Sequence, residues 1–380
     1  MDDNRRVDTA ASKQPASVTT ALLARLRRAI GEAGGWLPFD RVMAMALYEP
    51  GLGYYAHGAR TFGHSAADGS DFVTAPELTP LFGRTLARQL AQALQATGTD
   101  EVWEFGAGSG ALAATLIDAL TEAGAPLRRY TIVEVSGTLR ERQRATLGAR
   151  ADRVVWADRL PDAIDGVIVG NEVLDAMPVG LLVRSAGGWH ERGVALDDAG
   201  RLAWADRPTD RRPPVAVPGD HDYLTEIHPQ AEAFVRTLGA TLRRGAALFI
   251  DYGFPEAEYY HPQRHMGTLV AHRAHRVDSD VLADLGQKDL TAHVNFTGIA
   301  LAAQDAGMDV LGYTSQGRFL LNAGITELAR DAGIRDNAQL LRLVNEHEMG
   351  ELFKVIALAP GGGPAWTPLG FRAGDRTHRL

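Results

Sequence analysis

Three glycines at alternate positions follow an apolar segment that carries a single carboxylate. Residues 103–112 read WEFGAGSGAL, in which Glu104 comes two residues before the first glycine. Glycine allows positive φ and lets a ligand lie against the main chain, because no Cβ stands in the way. Helix-forming residues follow directly at 111–120, so the segment has the pattern of a strand, a tight turn and a helix N-terminus. This pattern predicts a cofactor site; an ordinary strand-to-helix turn is the structural alternative.

The charge of Glu104 distinguishes two classes of cofactor. NAD-binding sites also use such glycines, and Gly106, Gly108 and Ala111 satisfy their loose fingerprint. A carboxylate repels a pyrophosphate, whereas it attracts the cationic amino group of S-adenosylmethionine. The sequence therefore favours the methyl donor, with an NAD-dependent oxidoreductase as the competing class.

A second acid lies in the next predicted strand. Residues 130–135 read YTIVEV, a β-branched run that places Glu134 near the carboxyl end of a parallel strand. A carboxylate there can accept both ribose hydroxyls of an adenosine, in NAD as in S-adenosylmethionine; a surface acid at a strand end is the alternative. The predicted cofactor-binding residues are Glu104, Gly106, Ala107, Gly108, Gly110 and Glu134.

Composition excludes several classes of protein. The net charge of -8 over 380 residues argues against a surface built for nucleic acid or for an acidic membrane. The chain has no cysteine, which excludes disulfides, thiolate metal ligands and a cysteine nucleophile. No apolar run is long enough to span a bilayer, and the polar residues up to Ser17 lack the apolar segment of a signal peptide. These features predict a cytoplasmic enzyme.

The chain divides into an extension, a core and an insertion. From residue 96 onward, strands and helices alternate as in a doubly wound α/β domain whose last strand pair is antiparallel. Ahead of it, residues 18–30 and 39–47 predict helices, and a further helix is expected from residue 74 to about 96. The predicted organisation is a disordered tail at 1–17, a helical extension that covers the cofactor as a lid at 18–95, a core at 96–360 with a β insertion at 179–225, and a C-terminal tail at 361–380.

Six segments carry a resemblance to a known family. They are LYEPGLGYY at 47–55, DFVTAPEL at 71–78, EFGAGSG at 104–110, GNEVLDAMPV at 170–179, DYG at 251–253 and DLTAHVNF at 289–296. With these segments the chain resembles the MidA family of S-adenosylmethionine-dependent methyltransferases over residues 37–359. That family includes bacterial proteins and the mitochondrial arginine methyltransferases that assist the assembly of respiratory complex I.

The resemblance implies a fold, a cofactor and an activity. The implied fold is α/β, a Rossmann-like class I methyltransferase with a seven-stranded sheet, a helical N-terminal extension and a β insertion. The implied cofactor is S-adenosyl-L-methionine, and the implied activity is arginine methylation on a protein substrate such as a respiratory-complex subunit. A non-catalytic assembly factor and a small-molecule methyltransferase are the alternatives.

Candidate catalytic acids follow two predicted strands. Asn171, Glu172 and Asp175 come after an apolar strand at 166–170, at the edge where open α/β sheets bind ligands. A guanidinium acceptor is delocalised and protonated, so carboxylates must orient it and accept a proton. Glu172 is the leading candidate; Asp175 is alternatively a helix cap and Asn171 a turn residue. At the end of the strand 246–251, Asp251 is predicted to be a second acceptor-side carboxylate, with a structural role as the alternative.

Histidines and tyrosines complete the set of candidates. His293 could shuttle a proton or bond the acceptor, and a packed core histidine is the equal alternative. A cluster of histidines suggests loop residues packed over the active site rather than a metal site, because no cysteine assists and no helix face is fixed. Its members are His261, His265, His272 and His275. Aromatic faces suit a cation, so an acceptor channel, or alternatively core packing, is expected of Tyr48, Tyr54 and Tyr55.

Overall fold

The computed structural model describes residues 14–56, 74–273 and 276–380. The predicted loop at 58–70, the start of the segment 71–78, most of the predicted N-terminal tail and His275 lie outside the described residues.

In chain order the helices are α1 (Gln14–Glu32), α2 (Phe39–Tyr48), α3 (Ala75–Leu78), α4 (Pro80–Thr97), α5 (Ala111–Glu122), α6 (Gly137–Leu147), α7 (Pro229–Thr241), α8 (Glu256–Tyr259), α9 (Phe296–Asp305), α10 (Gln316–Asn322), α11 (Ile325–Leu328), α12 (Ile334–Val344) and α13 (Met349–Leu352). In chain order the strands are β1 (Leu37–Pro38), β2 (Glu101–Phe105), β3 (Arg129–Val133), β4 (Val154–Ala157), β5 (Ile164–Asn171), β6 (Gly180–Ser185), β7 (Gly188–Leu196), β8 (Leu202–Pro208), β9 (Tyr223–Ile227), β10 (Leu242–Phe254), β11 (Val270–Arg273), β12 (Arg276–Asp278), β13 (Asp289–Thr291), β14 (Val294–Asn295), β15 (Met308–Ser315) and β16 (Phe353–Pro360).

The central sheet is mainly parallel. Seven strands follow the order β15-β16-β10-β5-β2-β3-β4, and the two-residue strand β14 pairs with β10 as an eighth. The pairs from β10 through β5, β2 and β3 to β4 are parallel, whereas β16 runs antiparallel to both of its neighbours. The carboxyl ends of β2, β3, β5 and β10 therefore meet at one edge, where such sheets bind ligands. This arrangement confirms the predicted α/β class and the antiparallel last pair.

Helices cover both faces of this sheet because its central strands are apolar on both sides. Along β5, Val167 and Val169 pack toward α4 and α5, while Ile168 packs on the opposite side with α7 and α9. A strand that is buried on both faces reads as a continuous apolar run, which explains why residues 166–170 show no alternation.

A second, antiparallel sheet forms the β insertion. Its strands follow the order β1-β7-β6-β9, and β8 pairs with β7. The helix α2 packs on this sheet, with Phe39, Val42 and Leu47 joining Val179 and Leu181 in one apolar cluster. The helical extension is thereby fixed to the insertion, next to the carboxyl edge of the central sheet.

Several predicted boundaries are wrong. The single helix expected from residue 74 to 96 is broken at Thr79, which is extended (φ -159°, ψ 143°), and Pro80 begins the new helix α4. Proline suits a first helical turn but cannot continue a helix, so the break was legible in the sequence. Helix α1 begins at Gln14, four residues inside the predicted tail. The predicted C-terminal tail packs on the core, since Phe371 is buried and Gly370 N–H bonds Gln89 Oε1 at 2.9 Å.

The contact between β10 and β14 depends on the absence of a side chain at one position. Gly253 pairs with Val294, and a Cβ at this glycine would lie 2.1 Å from the Val294 carbonyl oxygen. Only glycine permits this approach, which brings the ring of His293 to 5.2 Å from the rings of Tyr252 and Phe254.

Replacing Gly253 with alanine should force β14 away from β10. We expect a loss of about 1–3 kcal/mol in the free energy of unfolding, the usual cost of overpacking, measured by urea denaturation. Gly31→Ala is the matched control, because nothing lies within 4 Å of the added Cβ in α1; it should stabilise the protein by about 0.5–1 kcal/mol. Equal effects of the two substitutions would show that the close approach is not needed.

Candidate active site

A cavity of about 1100 Å³ opens at the carboxyl edge of the central sheet. The glycine turn after β2, Glu134 after β3 and the turn after β5 form its inner wall. The outer wall comes from the helical extension and from β11 and β13, including Tyr48, Tyr55, Glu77 and Asp289. One cavity is therefore lined by all of the predicted cofactor residues except Gly110 and by most of the predicted acceptor residues.

The glycine turn has the backbone conformation that its sequence predicts. Gly106, Gly108 and Gly110 have φ of 65°, 52° and 87°, all in the left-handed region. A Cβ at Gly106 would lie 2.7 Å from Val173 Cγ2 in the neighbouring turn. Because these positions carry no side chain, the main chain of this turn can come into direct contact with a ligand in the cavity.

Glu134 immediately follows β3 and lines the cavity. Its Oε1 accepts the Ser136 N–H at 2.8 Å, and its Oε2 accepts Gln143 Nε2 at 3.3 Å. Gln143 Nε2 also donates to the Gly108 carbonyl at 3.2 Å, so one side chain ties this carboxylate to the glycine turn. Burial raises the pKa of Glu134, against the effect of these hydrogen bonds.

Glu104 is almost fully buried (1% exposed) and also lines the cavity. Its Oε2 accepts the Tyr130 hydroxyl at 2.6 Å. Burial raises the pKa of Glu104 to about 7, although the hydrogen bond from Tyr130 opposes the shift. A carboxyl group in this state ionises readily when a cation approaches.

The turn after β5 presents three polar side chains to the cavity. Asn171 Nδ2 donates to Glu172 Oε1 at 3.0 Å, and the Ala75 amide donates to the same carboxylate from α3. Asp175 accepts a short hydrogen bond from the Tyr252 hydroxyl. Burial, followed by the charge of Asp175, raises the pKa of Glu172 to about 8, and burial raises that of Asp175 to about 6.

Two buried acceptor atoms, one on the last residue of β5 and one in the turn after it, have no hydrogen-bond partner among the described residues. Within the residues that the structure describes, Asn171 Oδ1 and Asp175 Oδ1 are buried and make no hydrogen bond. Buried acceptors without a partner are rare in folded proteins, because each loses its hydration. Both residues line the cavity, so a bound ligand with N–H donors can supply the hydrogen bonds that these oxygens lack.

Asp251 differs from the other predicted acids. It is fully buried, it does not line the cavity, and its carboxylate accepts main-chain amides from the turn after β5. The predicted contact with an acceptor is therefore absent from the geometry.

His293 lies in the cavity wall between Tyr252 and Phe254. Burial, with the nearby charges of Arg264 and Lys354, lowers the pKa of His293 to about 4, so the ring is neutral at pH 7. Its Nδ1 is buried without a hydrogen-bond partner among the described residues.

The other histidines separate into two groups. His272 lines the cavity, whereas His261 and His265 do not. Among the described residues, no group of three or more His, Cys, Asp or Glu side chains could hold a metal ion.

Two of the three tyrosines face the cavity. Tyr48 and Tyr55 stack with their ring centroids 5.7 Å apart, while Tyr54 is buried in the core. The Tyr48 hydroxyl donates to the Ala176 carbonyl at 2.8 Å, and the Tyr55 hydroxyl donates to Asp289 Oδ1 at 2.8 Å. These bonds attach the extension to the turn after β5 and to β13.

Sequence reasoning missed Asp289 and Tyr252 as site residues. Both stand inside segments that carry the family resemblance, at 289–296 and 251–253, and this was the available signal. Their approach to Tyr55 and Asp175 depends on long-range packing that spacing along the chain does not encode.

The sheet order, the glycine turn and the acids at the strand ends define a class I methyltransferase. Residues 85–314 match the model of a family described as "Putative S-adenosyl-L-methionine-dependent methyltransferase". The chain belongs to this family.

Solved structures and named relatives are similar to this chain over most of its length. A crystal structure from Burkholderia thailandensis shows a "likely methyl transferase" bound to S-adenosyl-homocysteine. That protein is 52% identical to this chain, with a TM-score of 0.93 over 98% of this chain and 99% of that one. The mitochondrial protein arginine methyltransferase NDUFAF7 homolog of Caenorhabditis elegans is 28% identical over 88% of this chain and 87% of its own length. The Danio rerio protein arginine methyltransferase NDUFAF7 is 27% identical over 92% and 89%. These matches confirm the resemblance to the MidA family.

S-adenosylmethionine is the cofactor of this protein. The cavity fits it, because the glycine turn exposes main chain, two carboxylates lie at the ends of β2 and β3, and the volume accommodates a nucleoside with its amino-acid arm. No helix in the described ranges is long and apolar enough to cross a membrane.

Substituting alanine at Gly106 should abolish cofactor binding. The new Cβ would displace Val173 and distort the turn that is predicted to face the cofactor. Calorimetric titration with S-adenosylhomocysteine measures the effect. Gly124→Ala provides a matched control, because Gly124 has a similar φ of 62° and nothing lies within 4 Å of its Cβ. In both variants backbone strain should lower the free energy of unfolding by about 1–2 kcal/mol. Only Gly106→Ala should also lose affinity for S-adenosylhomocysteine. Wild-type affinity in Gly106→Ala would disprove a close approach of the cofactor to this glycine.

Proposed function

We propose that this protein methylates arginine side chains on a protein substrate. The observation that supports this most strongly is a pair of buried oxygens beside the carboxylate of Glu172, Asn171 Oδ1 and Asp175 Oδ1, which no other described residue bonds. A guanidinium has five N–H donors and no acceptor, so it matches a wall that offers acceptors. The names of the curated relatives, protein arginine methyltransferases at 27–28% identity, support the same substrate.

The aromatic wall suits the same acceptor. Tyr48 and Tyr55 stack on each other and line the same cavity as the acids. A planar guanidinium binds aromatic faces through cation–π contacts and bonds carboxylates in its plane. The channel therefore fits an arginine side chain that enters from an exposed segment of a polypeptide.

The cofactor side of the cavity has a separate set of roles. Glu134 is placed to accept the ribose hydroxyls, and the glycine turn to lie against the cofactor. Glu104, whose pKa is raised to about 7, is placed to ionise against the amino group. We assign these contacts to Glu134, Glu104 and the residues Gly106, Ala107, Gly108 and Gly110.

The acceptor-side residues orient the substrate and remove its proton. Bound S-adenosylmethionine would supply an activated methyl group, whose bond to sulfur breaks with the electron pair left on sulfur, so that S-adenosylhomocysteine is the leaving group. When a guanidinium nitrogen forms its bond to that methyl carbon, the nitrogen must lose a proton, and Glu172 is placed to accept it. Burial raises its pKa to about 8, so the group is mainly protonated at pH 7 until a cationic guanidinium enters and favours the ionised form that can act as the base. The neutral His293 provides a second polar group in the same wall.

The helical extension completes the site in this proposal. Residues from α3, together with Tyr48 and Tyr55, cover the cavity from outside and would exclude water during transfer. We keep the prediction that residues 18–95 act as a lid.

Replacing Glu172 with glutamine should abolish transfer while sparing cofactor binding. Purified protein, methyl-labelled S-adenosylmethionine and a cell extract are incubated, and labelled amino acids are identified after hydrolysis. Wild-type protein should yield labelled methylarginine, and Glu172→Gln should reduce the label by roughly 100-fold or more, the range for loss of a catalytic base. S-adenosylhomocysteine affinity should be retained.

Glu122→Gln is the matched control, since this carboxylate is exposed and far from the cavity lining; it should transfer label normally. Label on lysine or on a small molecule would contradict the arginine assignment. Cofactor binding without any transferred label would instead favour an assembly factor.

A further inference from the structure

Asp251 bonds the turn after β5 from behind the cavity wall. Its Oδ2 accepts the main-chain N–H groups of Val173 at 3.1 Å, Leu174 at 2.9 Å and Asp175 at 3.2 Å. Its Oδ1 accepts the N–H of Tyr252 at 2.9 Å. Burial, followed by the charges of Asp175 and Glu172, raises the pKa of Asp251 well above its usual range, and the amide hydrogen bonds oppose that shift. This single side chain therefore fixes three consecutive residues of the turn to β10.

The residue just before these three has a strained backbone. Glu172 has a φ of 53°, in the left-handed region that residues with a Cβ rarely adopt. Its N–H donates to the Ile250 carbonyl at 2.9 Å, so β10 holds the chain on both sides of it. Such strain persists only where surrounding contacts over-determine the conformation.

The held conformation decides where the acceptor-side carboxylates point. Glu172 and Asp175 stand at the two ends of the segment that Asp251 bonds, and both line the cavity. The same segment includes Val173, which touches the glycine turn at Gly106. If the turn after β5 relaxed, the carboxylates of Glu172 and Asp175 would shift relative to the glycine turn.

We propose that Asp251 is a positioning residue that holds Glu172 in its left-handed conformation and so sets the acceptor-side carboxylates. It acts through the main chain and does not touch the substrate. The expected effect on methyl transfer rests on the proposed function, whereas the effect on the backbone at Glu172 does not. The two effects are therefore tested separately.

The backbone effect is measured by comparing glycine with alanine at position 172. Glycine tolerates positive φ and alanine does not, so Glu172→Gly should be more stable than Glu172→Ala in the otherwise wild-type protein. In the Asp251→Asn background this advantage should shrink, because a neutral amide oxygen accepts these hydrogen bonds more weakly than a carboxylate and the NH2 group faces at least one amide donor. Thermal midpoints of the four variants and their parents give the comparison. S-adenosylhomocysteine in excess supports folding if Asp251→Asn alone is too unstable.

Glu226→Gln is the matched control background. Glu226 is also fully buried, and its Oε1 accepts the amides of Thr268 at 2.8 Å and Leu269 at 2.9 Å, away from the turn after β5. The glycine advantage at position 172 should persist there, since distant sites add independently. An undiminished glycine advantage in Asp251→Asn would overturn the proposal.

The catalytic effect is measured as transfer at saturating cofactor. Asp251→Asn should lower the transfer rate by at least about tenfold, because small misplacements of reacting groups are costly, with a much smaller change in S-adenosylhomocysteine affinity. Normal transfer by Asp251→Asn would also overturn the proposal. If wild-type protein transfers no label to arginine, the proposed function fails, and the glycine–alanine comparison still decides the role of Asp251.

Discussion

Removal of carboxyl groups from water at one edge of the sheet is the physical constraint on which the rest of the site depends. The parallel strands β2, β3 and β5 end side by side and bring Glu104, Glu134, Glu172 and Asp175 into one cavity. Burial is the largest cause of the raised pKa of each of the four. Their ionised forms are costly until a positive charge enters the cavity, which makes the cavity selective for cations.

Neighbouring side chains supply hydrogen bonds to the carboxyl groups that cluster in this cavity. Gln143 ties Glu134 to the glycine turn, Tyr130 bonds Glu104, and Tyr252 bonds Asp175. Asn171 Oδ1 and Asp175 Oδ1 accept no hydrogen bond from any residue that the structure describes. The main chain makes equally specific contributions, since Gly106 and Gly253 permit close approaches that a Cβ would prevent.

The cofactor side was far more predictable from the sequence than the acceptor side. The glycine turn and Glu134 are local to two strand ends, so spacing along the chain located them, and apolar runs identified the central strands. Contacts between distant residues were not legible: the bonds from Tyr252 to Asp175 and from Tyr55 to Asp289 each join residues far apart in sequence. Asp251 was expected at the end of a strand at 246–251, but β10 continues to Phe254. Only packing shows that its carboxylate faces main-chain amides and not the cavity.

Proton release on cofactor binding tests the cation-selective cavity most directly. Calorimetric titration of S-adenosylmethionine at pH 7, repeated in buffers of different ionisation enthalpy, counts the protons exchanged. Because the pKa of Glu104 is raised to about 7, the group is about half protonated at pH 7 in the free protein. A cation beside it lowers that pKa, so binding should release protons, up to about half a proton from this group, and Glu104→Gln should release correspondingly fewer. Binding without proton release, or with the same release in Glu104→Gln, would contradict a cavity whose buried carboxyl groups ionise against the cofactor.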